Sequence, residues 1–248
     1  MSSVLFDNPG PRARARNRAI GAVVILLIAA FATAGVASIV LGLVLAVGRL
    51  SDRRWISIPV TLFIELFRAI PVLILMMLMY YGLPFAGLKL SPYLAVVIAL
   101  TLYNGSVFSE IFRAGIEALP RGQKEAGYAI GLRKAGVMRL ILFPQAIRSM
   151  LPVIIAQLVV ALKDTALGSI ITYNELLYYA KYLGNQPSLD SPIIPAAIVI
   201  GAIYIGICLA LSGLAKWVEI RTKSSGRRGT GHPAARATTD TALLAAQD

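Results

Sequence analysis

The chain has few of the residues on which disulfides, metal sites and catalysis depend. Its 248 residues include one cysteine, Cys208, and one histidine, His232, and the dipeptide Gly-Lys occurs nowhere. A single cysteine excludes an internal disulfide. The histidine lies in a Gly/Pro/Ala-rich tail and indicates no metal site, and without Gly-Lys the chain has no phosphate-binding loop of the nucleotide-binding type. We therefore expect no metal, no cofactor and no enzymatic activity in this chain.

Acidic residues are also scarce. The chain has 12 Asp and Glu against 24 Lys and Arg, which gives a formal net charge of +12. Such a charge could indicate a nucleic-acid partner, but 57% of the residues are hydrophobic, more than the roughly 45–50% apolar residues of a soluble domain. Because the apolar residues gather into long runs, we interpret the chain as an all-α, polytopic membrane protein. Its basic residues then belong to cytoplasmic loops, and we expect no nucleic-acid partner.

Five apolar runs are long enough to cross the membrane, since a helix of about 20 residues covers the hydrocarbon layer. The predicted spans are residues 20–48, 69–88, 92–116, 147–171 and 192–215. Residues 55–67 have an interfacial composition, and residues 174–184 form a predicted short polar helix. The chain thus divides into a basic N-terminal arm (1–19), a transmembrane domain (20–220) and a tail (221–248) whose composition predicts disorder.

The distribution of basic residues predicts the orientation of these spans. Most Lys and Arg residues lie in 49–68, 113–148 and 216–228, whereas the opposite loops contribute Lys89 and Lys181. Because cytoplasmic loops carry the excess of positive charge, residues 117–146 and the C-terminus are predicted to be cytoplasmic. With five spans the N-terminus then faces outward, which conflicts with the four arginines at 12, 14, 16 and 18.

The segment 117–146 interrupts the spans with a polar sequence. A helix is predicted from about Gly122 to Ile130, where Gly131 suits a left-handed cap. A second helix is predicted from about Arg133 to Phe143, ending before Pro144. The two helices form an elbow with too many apolar residues for a solvated loop, among them Leu132. Such an elbow is suited to a hydrophobic groove on another protein.

Several stretches resemble a known family. Glu125-Ala126, Gly131 and Pro144-Gln145-Ala146 are similar to the cytoplasmic coupling loop of permease subunits of ABC importers. Residues 65–84, 109–127 and 157–170 resemble the subfamily for polar amino acids (glutamate, glutamine, histidine or arginine), and the basic arm resembles that of actinobacterial glutamate permeases. The resemblance covers roughly residues 36–217. The chain departs from the family at Ala69-Ile70, where a small residue and Thr are common, and at Gly127, where Ala is usual.

The resemblance implies a fold, a function and partners. The fold is that of type I ABC importer permeases, and the function is transport of a polar amino acid, driven by ATP that a separate subunit hydrolyses. The coupling residues would be Glu125, Ala126, Gly131, Leu132 and Pro144. The implied partners are a cytoplasmic ATP-binding subunit, a similar or identical second permease and an external solute-binding protein, in the cell membrane. Which amino acid is carried, and whether the permeases form a homodimer, stay open.

Charged residues inside the spans are the candidates for a substrate path. Lys163, Asp164 and Thr165 lie deep in the fourth run, where a central Lys or Asp costs about 2.5–3.5 kcal/mol, so each is expected to face a cavity or a partner. Neighbouring helical residues point about 100° apart, so Lys163 and Asp164 cannot serve one face. Gln157 is a further candidate. The alternative is that both charges only hold helices together.

Two acid–base pairs at a spacing of three residues share a helix face. They are Glu65 with Arg68 and Glu110 with Arg113. They are interpreted as ion pairs at the membrane interface, or as hinges at the cytoplasmic ends of the second and third spans.

Two other functions remain to be weighed. An intramembrane enzyme needs paired catalytic groups, such as a buried Ser/His or two spaced aspartates, and the only histidine is in the tail. A stand-alone secondary transporter usually has repeated halves with broken helices, and five spans are too few unless the chain acts as an oligomer. Neither function requires the elbow, which therefore favours the importer subunit.

Overall fold

The computed structural model describes residues 11–185 and 193–226; the side chains of residues 11–20, 221–226, Leu183 and Val218 lie outside the description. Every regular element in these two ranges is helical, which confirms the predicted all-α class. Four helices are long and apolar enough to cross a membrane, and a bent helix pair makes a fifth candidate span. The prediction of about five spans is confirmed.

The first span belongs to one long helix, α1 (Pro11–Arg49). Its apolar part is Gly21–Arg49. This agrees with the predicted span of 20–48, and the helix also extends back through residues 11–19 of the predicted arm. Pro11 suits the first helical position, where its missing N–H is not needed, and the Ala and Arg residues that follow are good helix formers. Residues 1–10 of the predicted arm lie outside the described residues.

The second predicted span, 69–88, is not one straight helix. Helix α2 (Arg54–Ala69) and helix α3 (Val72–Met77), which continues through a π-helical turn (Leu78–Gly82) and a 3-10 turn (Leu83–Ala86), meet at an angle of 99°. The bend lies at Ile70-Pro71, because Pro71 disfavours the helical conformation in the residue before it. Ile70 is accordingly extended, with φ −84° and ψ 124°.

Helix α4 (Pro92–Glu117) is the third predicted span and the centre of the bundle, in contact with α1, α2, α3 and α7. Ser91 caps its first turn by accepting a hydrogen bond from the Leu94 amide at 3.3 Å. The packing against α1 depends on glycines. A Cβ at Gly42 of α1 would lie 2.6 Å from the Cβ of Phe108, and one at Gly105 of α4 would lie 2.8 Å from Leu41. The two backbones therefore approach as closely as small residues allow.

The fourth span and the second half of the elbow form one helical path. Helix α5 (Arg121–Ala129) is followed by α6 (Lys134–Gly136), a π-helical turn (Val137–Leu142), α7 (Phe143–Asp164) and a 3-10 turn (Thr165–Ile171). The predicted stop before Pro144, and the start of the span at 147, are wrong. Pro144 lies in the first turn of α7, where a missing amide is tolerated. The preceding π-helical turn changes the local hydrogen-bond register, so the proline ring does not break the path.

Two helices complete the chain. Helix α8 (Leu176–Gly184) confirms the predicted short helix at 174–184. Helix α9 (Ile193–Gly226) contains the fifth span and contacts α7 and α8. The predicted boundary of the disordered tail at 221 is wrong for residues 221–226, which continue α9, while 227–248 lie outside the described residues. Apolar side chains such as Ile198, Ile205 and Leu209 are exposed along α9, as lipid contact requires.

Candidate functional site

The elbow protrudes from the end of the bundle where α4 ends and α7 begins. All nine residues of α5 are exposed except Gly127. Glu125 and Ala126 are therefore on the surface, and Glu125 forms no salt bridge with another described residue. The apolar residues Tyr128, Ile130 and Leu140 are 41%, 75% and 64% exposed. The described residues thus leave most of the surface of α5 exposed.

Gly131 ends α5 in a Schellman arrangement. Its φ is +82°, the left-handed conformation that the sequence predicted. The Gly131 amide donates to the carbonyl of Tyr128 at 2.9 Å, and the Leu132 amide donates to the carbonyl of Gly127 at 3.2 Å. These are the two bonds that define the motif. A glycine has no steric penalty at this φ, so the chain reverses direction within one residue.

Gly127, where the related loops usually have Ala, is the contact point between the two arms of the elbow. A Cβ at this position would lie 2.8 Å from Val137 Cγ2 and 2.9 Å from Ile141 Cδ1. Val137 is buried together with Ile116 and Leu142 in a small apolar cluster beneath the elbow. The glycine weakens α5 by about 1 kcal/mol relative to Ala, but it lets α5 lie directly on the π-helical turn.

Polar contacts tie the elbow to the bundle. Gln145, next to Pro144, donates from Nε2 to Gln123 Oε1 of α5 at 3.2 Å. Lys134 pairs with Asp52 and donates to the carbonyl of Leu50 at 3.3 Å, both in the turn after α1. Of the predicted coupling residues, Glu125, Ala126 and Gly131 lie on the exposed arm. Leu132 packs inward against the cluster beneath the elbow, and Pro144 is exposed at the start of α7.

The predicted path residues lie on α7 but on different sides of it. Lys163 is exposed, Asp164 is half-buried and Thr165 is fully buried, as the angular spacing of helical residues requires. Neither Lys163 nor Asp164 makes a salt bridge with a described residue. An ion pair with another described helix therefore does not account for these charges. Gln157 is half-buried and donates to Asn104 Oδ1 of α4 at 2.8 Å.

Thr165 belongs to a buried polar group that sequence reasoning missed. Glu175, directly before α8, is fully buried and accepts hydrogen bonds from Tyr204 Oη of α9 and from the Tyr178 amide, each at 2.8 Å. The Thr165 hydroxyl donates to the carbonyl of Leu162 at 2.6 Å. Burial raises the pKa of the Glu175 carboxyl, while the amides of Leu177 and Tyr178, Tyr204 and nearby Lys181 act in the opposite direction. The sequence signal was an acid in the predicted short polar helix 174–184.

The model of one protein family, described as the inner membrane component of binding-protein-dependent transport systems, matches residues 38–224. The chain belongs to this family. The match covers nearly the same residues as the motifs quoted above. Since these inner membrane components are the permease subunits of ABC importers, the predicted family is confirmed.

Curated relatives and solved structures agree with this family assignment. The glutamate transport system permease protein GluD of Corynebacterium glutamicum is 40% identical over 77% of this chain and 70% of the relative. The arginine transport system permease protein ArtQ of Bacillus subtilis is 32% identical over 75% of this chain and 84% of the relative. A solved chain, described as an amino acid ABC transporter with histidines, is 28% identical with a TM-score of 0.77, covering 87% of this chain and 100% of that one.

The permease fold itself is also found in a more distant structure. The methionine ABC transporter MetNI has a TM-score of 0.62 at 17% identity, over 85% of this chain and 99% of that chain. At this identity the likeness concerns the fold alone. The described helices thus have the arrangement of type I ABC importer permeases, and the predicted fold is confirmed.

Proposed function

We propose that this permease carries a polar amino acid of the glutamate type into the cell, together with a second permease and an external binding protein. The proposal is supported by the names of the relatives, which transport glutamate, glutamine or arginine. The sequence motifs at 65–84 and 157–170 point to the same subfamily. The energy comes from ATP that a separate cytoplasmic subunit hydrolyses.

The elbow is the docking site for that ATPase subunit. This assignment rests on the surface of α5, which the other described residues leave exposed. The left-handed backbone of Gly131 fixes the turn at the C-terminal end of α5. Exposed Tyr128 and Ile130 supply an apolar contact, and Glu125 supplies a charge that forms no salt bridge with a described residue. A short amphipathic helix of this kind binds in a groove through a few anchors.

The orientation follows from the same site. An elbow that meets a cytoplasmic ATPase lies on the cytoplasmic side, in keeping with its exposed basic residues Arg121, Lys124, Arg133 and Arg139. Helix α7 then runs from the cytoplasmic to the outer side, and α9 is the span that returns. The C-terminal end of α9 therefore lies on the cytoplasmic side. The C-terminal tail is cytoplasmic in this arrangement.

The substrate path follows α4 and α7. Gln157 and Asn104 provide a polar contact between two apolar helices, and Asp164 and Lys163 provide charges that could meet the ammonium and carboxylate groups of an amino acid. Exposed Lys163 faces away from the described bundle and is assigned to the path between two permease subunits. Fully buried Thr165 donates to the Leu162 carbonyl at 2.6 Å, and its predicted place in the path stays a prediction.

Affinity purification of the tagged chain from gentle detergent tests the proposed assembly. We expect a soluble ATPase subunit in the same complex, identified by mass, and a second hydrophobic chain if the permease is heterodimeric. Proteoliposomes of this complex, with its binding protein and internal ATP, should accumulate radiolabelled glutamate or a related polar amino acid. A complex without any ATPase would contradict the proposal and would favour a secondary transporter.

Replacement of Lys163 by Met tests the path. We expect Lys163→Met to lower amino acid uptake severalfold while the amount of assembled complex stays unchanged, because an exposed side chain contributes little to the fold of this chain. Lys89→Met, the same change at an exposed residue outside the long apolar helices, is the matched control and should transport normally. Unchanged substrate affinity and uptake in Lys163→Met would remove Lys163 from the path.

A further inference from the structure

Six charged residues meet where the end of α1 lies beside α2 and the last turns of α4. This charge cluster consists of Arg49 of α1, Glu65 and Arg68 of α2, and Glu110, Arg113 and Glu117 of α4. Only one of the two predicted pairs at a spacing of three forms, that between Glu110 and Arg113. The charges of α2 pair with other helices instead. Three of the five ion pairs therefore join different helices, while Arg113 pairs with Glu110 and Glu117 along α4 itself.

Glu110 is the centre of the charge cluster. Its side chain is 17% exposed and accepts from Arg49, while Arg113 donates from Nε at 3.0 Å and from a terminal nitrogen at 2.9 Å. Arg68 approaches the same carboxylate at 3.8 Å. A half-buried carboxylate with three guanidinium groups is held strongly in place, since fork-shaped Arg donors fix both its oxygens.

Arg113 connects this centre to the elbow. Its Nη1 donates to Glu117 Oε2 at 2.6 Å. Glu117 lines a cleft of about 260 Å³ behind the elbow, together with Lys124 and Tyr128 of α5 and Lys134 of α6. A displacement of α5 therefore changes the surroundings of Glu117 directly. Within the described residues, Arg113 is the one side chain that binds both Glu117 and Glu110.

Helix α2 is the element whose position this chain of ion pairs would change. Helices α1 and α4 are in glycine-mediated backbone contact. Helix α2, by contrast, is joined to them in the charge cluster by two longer salt bridges, Arg49 with Glu65 at 3.9 Å and Arg68 with Glu110 at 3.8 Å. It ends in the extended residue Ile70 before Pro71, which is a place where a helix pair changes its angle with few other adjustments.

We propose that the charge cluster transmits the movement of the elbow to α2, with Arg113 as the positioning residue that links the two. The inference rests on the proposed docking of the ATPase at the elbow. When the elbow moves, Glu117 and Arg113 move with it, the contacts of Glu110 with Arg49 and Arg68 rearrange, and α2 turns about Ile70-Pro71. Coupling of this kind requires a continuous chain of contacts that has two alternative arrangements. Ion pairs that exchange partners form such a chain.

Three variants of the full complex, reconstituted with ATPase and binding protein, test the connection. Arg113→Gln removes the link between Glu117 and Glu110 but leaves Glu110 paired with Arg49 and Arg68, so the carboxylate at the centre is not left without a partner. Arg113→Lys keeps the charge, although an ammonium group cannot reproduce the fork that binds both carboxylates. Arg148→Gln is the matched control, because Arg148 is exposed on α7 and forms no salt bridge with a described residue.

Transported amino acid per ATP hydrolysed is the decisive measurement. We expect Arg113→Gln to lower this ratio about fivefold or more, the lower end of typical coupling between linked sites, while the ATPase still copurifies and hydrolyses ATP. Arg113→Lys should give an intermediate ratio, and Arg148→Gln should equal the wild type. A loss of folding alone would lower the amount of complex and leave the ratio of the remaining complex unchanged.

The outcomes separate this inference from the proposed function. If the wild-type complex contains no ATPase or transports nothing, the proposed function fails. If the wild type transports normally and Arg113→Gln has the ratio of Arg148→Gln, the charge cluster is only structural and the inference is overturned. Failure of both Arg113 variants to assemble would likewise assign the cluster to folding and overturn it.

Discussion

Gly131→Asp should abolish amino acid uptake while the protein remains in the membrane in normal amount. The φ of +82° at Gly131 costs a residue with a side chain about 1–2 kcal/mol, and the new carboxylate lies on the exposed turn of the elbow. No atom of a described residue lies within 4 Å of a Cβ at this position, so the described bundle can accommodate the side chain. The effect therefore falls on the docking of the ATPase and not on the fold.

The size of the effect follows from the energetics of a small contact surface. A loss of about 2 kcal/mol in docking, the scale of one anchor residue, lowers the affinity for the ATPase about thirtyfold. Uptake into cells and recovery of the ATPase with the tagged permease both measure this loss. Normal uptake by Gly131→Asp would contradict the role of the elbow.

Gly122→Asp is the matched control for this variant. Gly122 lies in the first turn of the same helix, its Cβ would have no neighbour within 4 Å, and its φ is not positive. The same charge is added, and near a helix N-terminus it is favourable. We expect uptake close to that of the wild type. An equal defect in both variants would mean that added negative charge, rather than the backbone at Gly131, disturbs docking.

Gly42→Leu should destabilise the folded protein. A Cβ at Gly42 meets three atoms that cannot move independently: Phe108 Cβ at 2.6 Å, the carbonyl oxygen of Gly105 at 3.0 Å and the amide nitrogen of Ser109 at 3.1 Å. Helix α1 would have to separate from α4 along the longest contact in the bundle. Overpacking of this kind costs about 1–3 kcal/mol, and we expect a fall in the unfolding midpoint in detergent of about 5–10 °C.

The control for Gly42 comes from α9. Gly206 is exposed and has no atom within 4 Å of a Cβ, so Gly206→Leu adds an apolar side chain to the lipid-facing surface. We expect an unchanged midpoint. Gly42→Ala sharpens the comparison further: alanine normally stabilises a helix by about 1 kcal/mol relative to glycine, whereas at Gly42 it should destabilise. A stabilised Gly42→Ala protein would contradict the close packing of α1 and α4.

The functional site was predictable where its geometry depends on neighbouring residues. Gly131 was assigned to a left-handed turn because a glycine followed an amphipathic helix, and its φ confirms the prediction. The pairing of Glu110 with Arg113 was predictable from a spacing of three, and it forms. Glu65 has the same spacing from Arg68, yet Arg49 is its partner. Arg68 and Arg113 have the same spacing from a glutamate along the chain. The packing of α1, α2 and α4, however, places Arg68 within ion-pair distance of Glu110 and Glu65 within that distance of Arg49.

Prolines mark places in the sequence whose consequences depend on the surrounding structure. Pro71 was assigned to the start of a span and instead lies at a bend of 99° between two helices. Pro144 was assigned to the end of an elbow helix and instead lies in the first turn of α7, after a π-helical turn. A proline changes the local hydrogen bonding in a known way, but whether the chain then bends, stops or continues is determined by the helices packed around it.

What the sequence by itself determined is the class of molecule and one exposed element: an all-helical membrane chain, the family of its motifs and the elbow with its glycine turn. These depend on apolar run length, residue order and local backbone preference, which act over a few residues. Only the tertiary structure decided the close contact at Gly42 and Gly127, the burial of Glu175 and Thr165, and the partners of Glu110. Those features depend on which helices, distant in the sequence, pack against each other. In a membrane this packing is governed by small residues at the helix contacts and by the need to pair buried polar groups.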